Sequence, residues 1–421
     1  MPIRRRRLAA SIAALGVLSV LPPAVSATEI IAIEFSGNDV TRESTMLREM
    51  ALGIGDPADD ERIEASRQAI QDLGLFREVL IEREERDDGV ALRVDVRERR
   101  YILPVPRLDI SSDLDRSAGL SLRINNLWGR NHTLSALVQA GRYPDDRLRE
   151  KERRARLSYE APHVFDDVWG FATGIERLER EVPGVNDAQN FDEDIDRAEF
   201  LVTRDFRDVR PRRGWVGRAG VFREERRNDG LDAPPSDGTS TALVLGADYG
   251  NRRDHIYSDS GRAGSVRMEW AHDRLLSDFS YRRLDVEYRE MLALPGDHRN
   301  LNLIAAGGLY SGGTNRRNTY DLGGSTRLRG YSSDYVQGER FVYGAAEYLR
   351  PLGTDWLRLL IIAETGATDG SVTEARSGWP YASVGVGLRV RLTWFVNLEF
   401  EAGFAYPLRG GGGPRFFASG E

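Results

Sequence analysis

The run Ser383-Val384-Gly385-Val386-Gly387-Leu388-Arg389-Val390-Arg391-Leu392 sets five apolar side chains against serine, glycine and arginine at every second position. Side chains of a β-strand alternate between two faces, so this segment has one wholly apolar face and one polar or glycine-lined face. The same period extends outward from it. Val396, Leu398, Phe400 and Ala402 oppose Asn397, Glu399, Glu401 and Gly403. Leu284, Val286 and Tyr288 oppose Arg283, Asp285, Glu287 and Arg289, and Ala155, Leu157 and Tyr159 oppose Arg154, Arg156, Ser158 and Glu160. A soluble sandwich with one wet face would carry the same alternation.

Three features favour a membrane barrel over the sandwich. First, Arg4 to Arg7 precede an apolar stretch from Leu8 to Leu21, then Pro22-Pro23 and the small residues Ala24 to Ala27. This pattern reads as a secretory signal over 1–27, cleaved after Ala27; it is shorter than the roughly 20 apolar residues of a spanning helix. Second, about sixteen alternating segments follow one another from residue 105 to 420 with no helical period between them. Third, the connections alternate in length: Asn126 to Asn131 and Arg350 to Asp355 are brief, whereas Val182 to Arg197, Glu225 to Thr239 and Tyr310 to Gln337 are long. Without a spanning helix only a closed barrel can satisfy its backbone in lipid, and short turns on one side with long loops on the other characterise outer-membrane barrels. The expected fold is therefore mainly β, a 16-stranded antiparallel transmembrane barrel over 101–421, its apolar face toward lipid.

Composition narrows the chemistry. The 421 residues contain no cysteine, which excludes disulfides, thiolate metal sites and cysteine nucleophiles, and the five histidines stand too far apart for local ligand pairs. The sole lysine, Lys151, follows no glycine-rich loop, and no G-x-S-x-G elbow occurs. Loss of the four leader arginines changes the formal charge from −7 to −11, which gives no basic field for nucleic acid. No enzyme activity, cofactor or metal is expected.

Residues 28–100 read as a small α+β unit. Apolar residues alternate from Ile30 to Phe35, and Gly37-Asn38-Asp39 supplies a turn. Thr41 is placed to cap a helix burying Met46, Leu47 and Met50; Asp59 or Asp60 caps a second, with Ile63, Ile70 and Leu73 on its apolar face and Gly74 at its end. Two strands follow, near Glu78–Glu82 and Val90–Val96. The order β-α-α-β-β, with Gly37-Asn38, Gly74-Leu75-Phe76 and Val79 at these spacings, resembles a POTRA domain.

The long connection, about 310–337, contains Leu322-Gly323-Gly324-Ser325-Thr326-Arg327-Leu328-Arg329-Gly330-Tyr331, followed by Gly338-Glu339-Arg340 and Glu347-Tyr348-Leu349-Arg350. Together with the preceding strands and the N-terminal module, this resembles the inward-folded loop of the BamA/TamA superfamily, bacterial surface antigens that join POTRA domains to a sixteen-stranded barrel. The resemblance implies that Leu328, Arg329, Gly330 and Tyr331 form the tip, with the arginine against acids on the barrel wall. The family's wall segment matches Ile362-Ala363-Glu364-Thr365-Gly366, with Glu364 in place of the usual aspartate. Glu364, Glu399 and Glu401 are the candidate partners, because a guanidinium in a narrow lumen needs carboxylates to offset its desolvation.

The resemblance further implies an outer-membrane protein with its POTRA domain in the periplasm, acting in insertion, assembly or translocation of outer-membrane or secreted polypeptides. Outer-membrane lipid is a second partner, and periplasmic chaperones or lipoproteins are accessory candidates. The POTRA edge at Glu78, Val79, Leu80, Ile81 and Glu82 would capture an extended client by backbone hydrogen bonds. Alternatives are a secretion conduit for one dedicated partner, an outer-membrane lipid hydrolase, and a passive porin. Two features depart from the family: one POTRA module instead of several, and a C-terminus, Arg415 to Glu421, without a terminal aromatic.

Overall fold

The computed structural model describes residues 29–420 apart from 111–115, 146–147, 183–190, 207–213, 232, 234–236, 313–319, 333–334, 370–377 and 397. The expected leader, 1–27, lies outside the described residues.

The N-terminal unit comprises β1 (Ile30–Ser36), α1 (Glu43–Leu47), α2 (Asp60–Gln71), β2 (Phe76–Arg86) and β3 (Gly89–Glu98). Its sheet runs β1-β3-β2, with β1 parallel and β2 antiparallel to β3. Ile30, Met46, Met50, Ile63, Ile70, Phe76, Val79, Val90, Leu92 and Val94 form the core between the sheet and the helices. Asp59 caps α2 by accepting the Glu61 N–H at 3.3 Å. Gly74 takes φ +69°, the left-handed conformation that ends a helix at least cost. Two expectations fail. Arg42, not Thr41, stands at the start of α1, because the Thr41 hydroxyl is drawn instead to Glu98 at 2.5 Å. Leu47 is exposed, because a five-residue helix turns only Thr45 and Met46 inward.

Barrel strands follow as β4 (Ile102–Ile110), β5 (Arg116–Leu127), β6 (His132–Asp145), β7 (Leu148–Phe165), β8 (Trp169–Val182) and β9 (Phe191–Asp205). Next are β10 (Gly214–Asp229), β11 (Gly238–Gly250), the two-residue β12 (Arg253–Asp254), β13 (Asp259–Ala271), β14 (Tyr281–Ala293) and β15 (Asn300–Gly312). A small ribbon, β16 (Tyr320–Leu322) with β17 (Val336–Gly338), belongs to the long connection. The last strands are β18 (Arg340–Pro351), β19 (Leu357–Asp369), β20 (Gly378–Arg391), β21 (Glu399–Pro407) and β22 (Arg415–Gly420). With β12 set aside as part of a turn, sixteen strands close the cylinder, β22 lying beside β4. The alternating segment read from Val396 becomes a strand only at Glu399, because Trp394 to Val396 bend away to meet Arg100.

Alternation sorts the wall. Leu157, Ile175, Phe200, Val221, Leu245, Val286, Val386 and Phe404 stay exposed on the outside. At the turns on the POTRA side, Trp128, Phe165, Trp169, Phe206, Trp215, Trp356 and Trp394 are all exposed, an aromatic girdle of the kind that sits at lipid headgroup level. No described helix is long and apolar enough to cross a membrane, so crossing falls to the strands.

Candidate functional site: the lumenal loop and the POTRA edge

The connection from β15 to β18 turns back into the barrel. Tyr320, Leu322, Leu328, Tyr331 and Val336 are buried against lumen-facing Tyr281, Tyr310, Phe341 and Tyr343. Leu328 to Tyr331 form a tight turn closed by the Tyr331 N–H donating to Leu328 O at 2.9 Å, and Leu328 itself adopts φ +49°. Gly330 permits the docking. A Cβ there would stand 2.8 Å from Ser383 Cβ and 2.9 Å from Pro407 N, so only glycine lets the turn approach β20 and β21 this closely.

That turn aims Arg329 at the wall. Its Nη1 lies 2.9 Å from Glu364 Oε1, and its Nη2 lies 2.8 Å from Glu347 Oε1 and 3.2 Å from Glu401 Oε1. Arg389 Nη2 binds the second oxygens of Glu347 and Glu401 at 2.9 and 2.6 Å. Glu364 also accepts from the Tyr343 hydroxyl at 2.7 Å and the Ser383 hydroxyl at 2.9 Å. Two guanidinium groups thus share three carboxylates, which satisfies charges that would be costly to bury alone. The Arg329 guanidinium also lies over the Phe417 ring at 5.5 Å, linking the loop to the last strand.

Of the three wall candidates, Glu364 and Glu401 meet Arg329. Glu399 does not; it lies one pleat nearer the rim that carries the N-terminal unit, paired with Arg391 and, at 3.8 Å, with Arg358. Two contributors escaped the sequence reading, Glu347 and Arg389. Both lie on the polar face of alternating strands, but nothing local distinguishes them from other lumenal charges; only the register Ala345↔Glu364 and Arg389↔Glu401 brings them together.

The loop also reaches the final hairpin. The Tyr331 hydroxyl lies 2.9 Å from Ala382 O and 3.0 Å from Arg409 O, and Gly411 N–H donates to the Tyr335 hydroxyl at 2.9 Å.

Glu78 to Glu82 lie in β2, an edge strand that pairs on one side only, with β3. β3 in turn leads through Arg99 to Tyr101 into β4. The POTRA unit is seated on the turns of the barrel rim: Asn126 Nδ2 donates to the Thr41 hydroxyl at 2.8 Å, and Thr45 Oγ1 donates to Gly129 O at 2.8 Å. Arg99 Nη2 meets Asp254 Oδ2 at 3.0 Å, and Arg100 N–H donates to Trp394 O at 2.8 Å. Burial pushes the Arg99 guanidinium below its ordinary pKa, and the Asp254 carboxylate opposes that shift.

Residues 126–414, most of the chain, match the model of the Omp85 superfamily domain, and residues 28–99 match the POTRA model described as a surface antigen variable number repeat. The chain belongs to the Omp85 superfamily. It is 34% identical over 111 residues to the outer membrane protein assembly factor BamA of Neorickettsia risticii, a match covering 25% of this chain and 15% of that relative. Solved structures share the fold at lower identity. CdiB from Acinetobacter baumannii superposes with a TM-score of 0.66 at 14% identity, over 93% of this chain and 73% of that one. BamA from Haemophilus ducreyi lacking POTRA domains 1–3 gives 0.56 at 14%, over 94% and 84%. As an Omp85 member this is an outer-membrane barrel with a periplasmic POTRA domain, so the rim that carries the POTRA unit faces the periplasm.

Proposed function

We propose that this Omp85 protein assembles or translocates client polypeptides at the outer membrane. The observation that carries the reading is connectivity: β2 offers an unpaired edge, its neighbour β3 runs within three residues into β4, and β4 lies at the closure with the six-residue β22. An extended client added to β2 by backbone hydrogen bonds is thereby held beside the shortest strand of the barrel. The client would then pair with a transiently freed edge of β4 or β22 and leave sideways into lipid. A passive porin fits less well, because the β15–β18 connection fills part of the lumen.

The test is crosslinking in living cells from photoreactive residues at 78, 80 and 82. Capture of many nascent barrels supports general assembly, and capture of one secreted polypeptide supports a dedicated conduit. No captured polypeptide at any of the three positions would overturn the reading. Leu80→Pro, which removes a strand donor, should reduce capture while the barrel stays folded.

A further inference from the structure

The side chains along the β2 edge specify more than an open backbone. Val79 faces the helices and is buried, so Glu78, Leu80 and Glu82 occupy the opposite face, where Leu80 is 48% exposed. Two nearby arginines are paired elsewhere: Arg83 meets Asp60 at 2.8 Å, and Arg86 meets Glu34 at 2.8 Å and Glu84 at 3.3 Å. Arg93, in register with Glu82, turns to Asp95 instead, and Arg97, in register with Glu78, forms no ion pair with it. Among the described residues, Glu78 and Glu82 have neither an ion pair nor a side-chain hydrogen bond. The other outer edge of this sheet is partly taken, since Ile30 N–H donates to Asp56 O at 2.9 Å and Ile30 O accepts from Gly55 N–H at 2.8 Å. The surrounding domain, 29–99, holds 19 acidic and 10 basic residues.

We propose that the client segment captured here carries two basic side chains four residues apart on one face, with an apolar residue midway between them on that face. The inference rests on augmentation at β2 and deepens it by naming the client's chemistry. A strand added to β2 puts its same-face side chains about 5 Å from Glu78, Leu80 and Glu82, where opposite charges stabilise and like charges oppose pairing. The domain's net charge of −9 draws the same class of segment from a distance.

The test uses the full chain in lipid nanodiscs and three 12-residue peptides that are identical except at two positions four residues apart, with valine midway between them. Those two positions carry arginine, glutamine or glutamate, and binding is read by fluorescence anisotropy. The arginine peptide should bind about 2- to 30-fold more tightly than the glutamine peptide, the range expected for two cross-strand charge pairs. Glu78→Gln with Glu82→Gln should bring that ratio close to one and leave the glutamine peptide unchanged. Equal binding of all three peptides overturns the proposal. So does a double variant that binds every peptide more tightly, since the glutamates would then be guarding the edge against pairing. A glutamine peptide N-methylated on alternate amides examines augmentation separately, without altering the protein. Loss of its binding upholds the backbone mechanism whatever the charge result, and undiminished binding removes the basis of both readings.

Discussion

The Glu364 carboxylate holds Arg329 at two points: Oε1 pairs with the guanidinium at 2.9 Å, and Oε2 accepts the Arg329 backbone N–H at 2.7 Å. Side chain and main chain of the loop tip are therefore fixed by one residue of β19. Replacing the charge cannot restore the second contact, and this shapes what substitution should do.

Arg329→Glu would bury a fourth carboxylate beside Glu347, Glu364 and Glu401. Breaking a buried pair in this way costs about 3–5 kcal/mol, enough to expel the tip. The expected outcome is protease cleavage within 320–338 of an otherwise folded barrel, with loss of client assembly. Glu364→Arg added to it should recover only part of the function, because Glu347 and Glu401 also lose Arg329 and keep only Arg389. A double variant no better than the worse single one would show that Glu364 is not the principal partner.

Glu347 and Glu399 give opposite expectations. Glu347 bridges Arg329 and Arg389, so Glu347→Gln should lower the thermal midpoint of the barrel and raise loop accessibility. Glu399 serves Arg391 and Arg358, so Glu399→Gln should leave loop accessibility at the wild-type level. Cysteine labelling at 326, compared between the two variants, reads the difference directly.

Gly330→Ala should act through shape alone. The new methyl would meet Ser383 Cβ at 2.8 Å and backbone atoms of Tyr406 and Pro407 at 2.9–3.0 Å, contacts that rigid strands cannot relieve cheaply. About 1–3 kcal/mol of overpacking is expected, seen as a lower unfolding midpoint with the charges unchanged.

The barrel was legible because a strand facing lipid on one side must alternate: segments such as Ser383–Leu392 declare both faces without any tertiary information. Boundaries were less legible. Trp394 and Phe395 carry apolar character suited to a strand, but Val396 N–H and Trp394 O are bound to Arg100, so a rim contact with the POTRA unit decided their conformation. The loop tip was readable from Leu328-Arg329-Gly330-Tyr331, and Glu364 and Glu401 from alternation. Separating Glu401 from Glu399 required shear, since both face the lumen two residues apart. Thr41 misled for a related reason: a threonine before a helix suits a cap, yet its hydroxyl joins Glu98, Tyr101 and Asn126 at the junction between domains.

The closure of the barrel joins its two weakest strands. β22 has six residues and β4 nine, whereas thirteen of the sixteen strands run 12 to 18. Pro104 and Pro106 also remove two donors from β4, which lowers the number of backbone hydrogen bonds this strand can make. Transient separation there would expose edges to a client strand, and the contacts of Arg329 with Phe417 and of Tyr335 with Gly411 place the lumenal loop in a position to restrain it. The chain has no cysteine, so pairs introduced between 103–108 and 415–419 give an unambiguous lock. Only pairs with Cα atoms within about 7 Å will close. In those that do, client assembly should fall at least tenfold while oxidised and return on reduction. A closed disulfide with undiminished assembly would show that clients leave without parting β4 from β22.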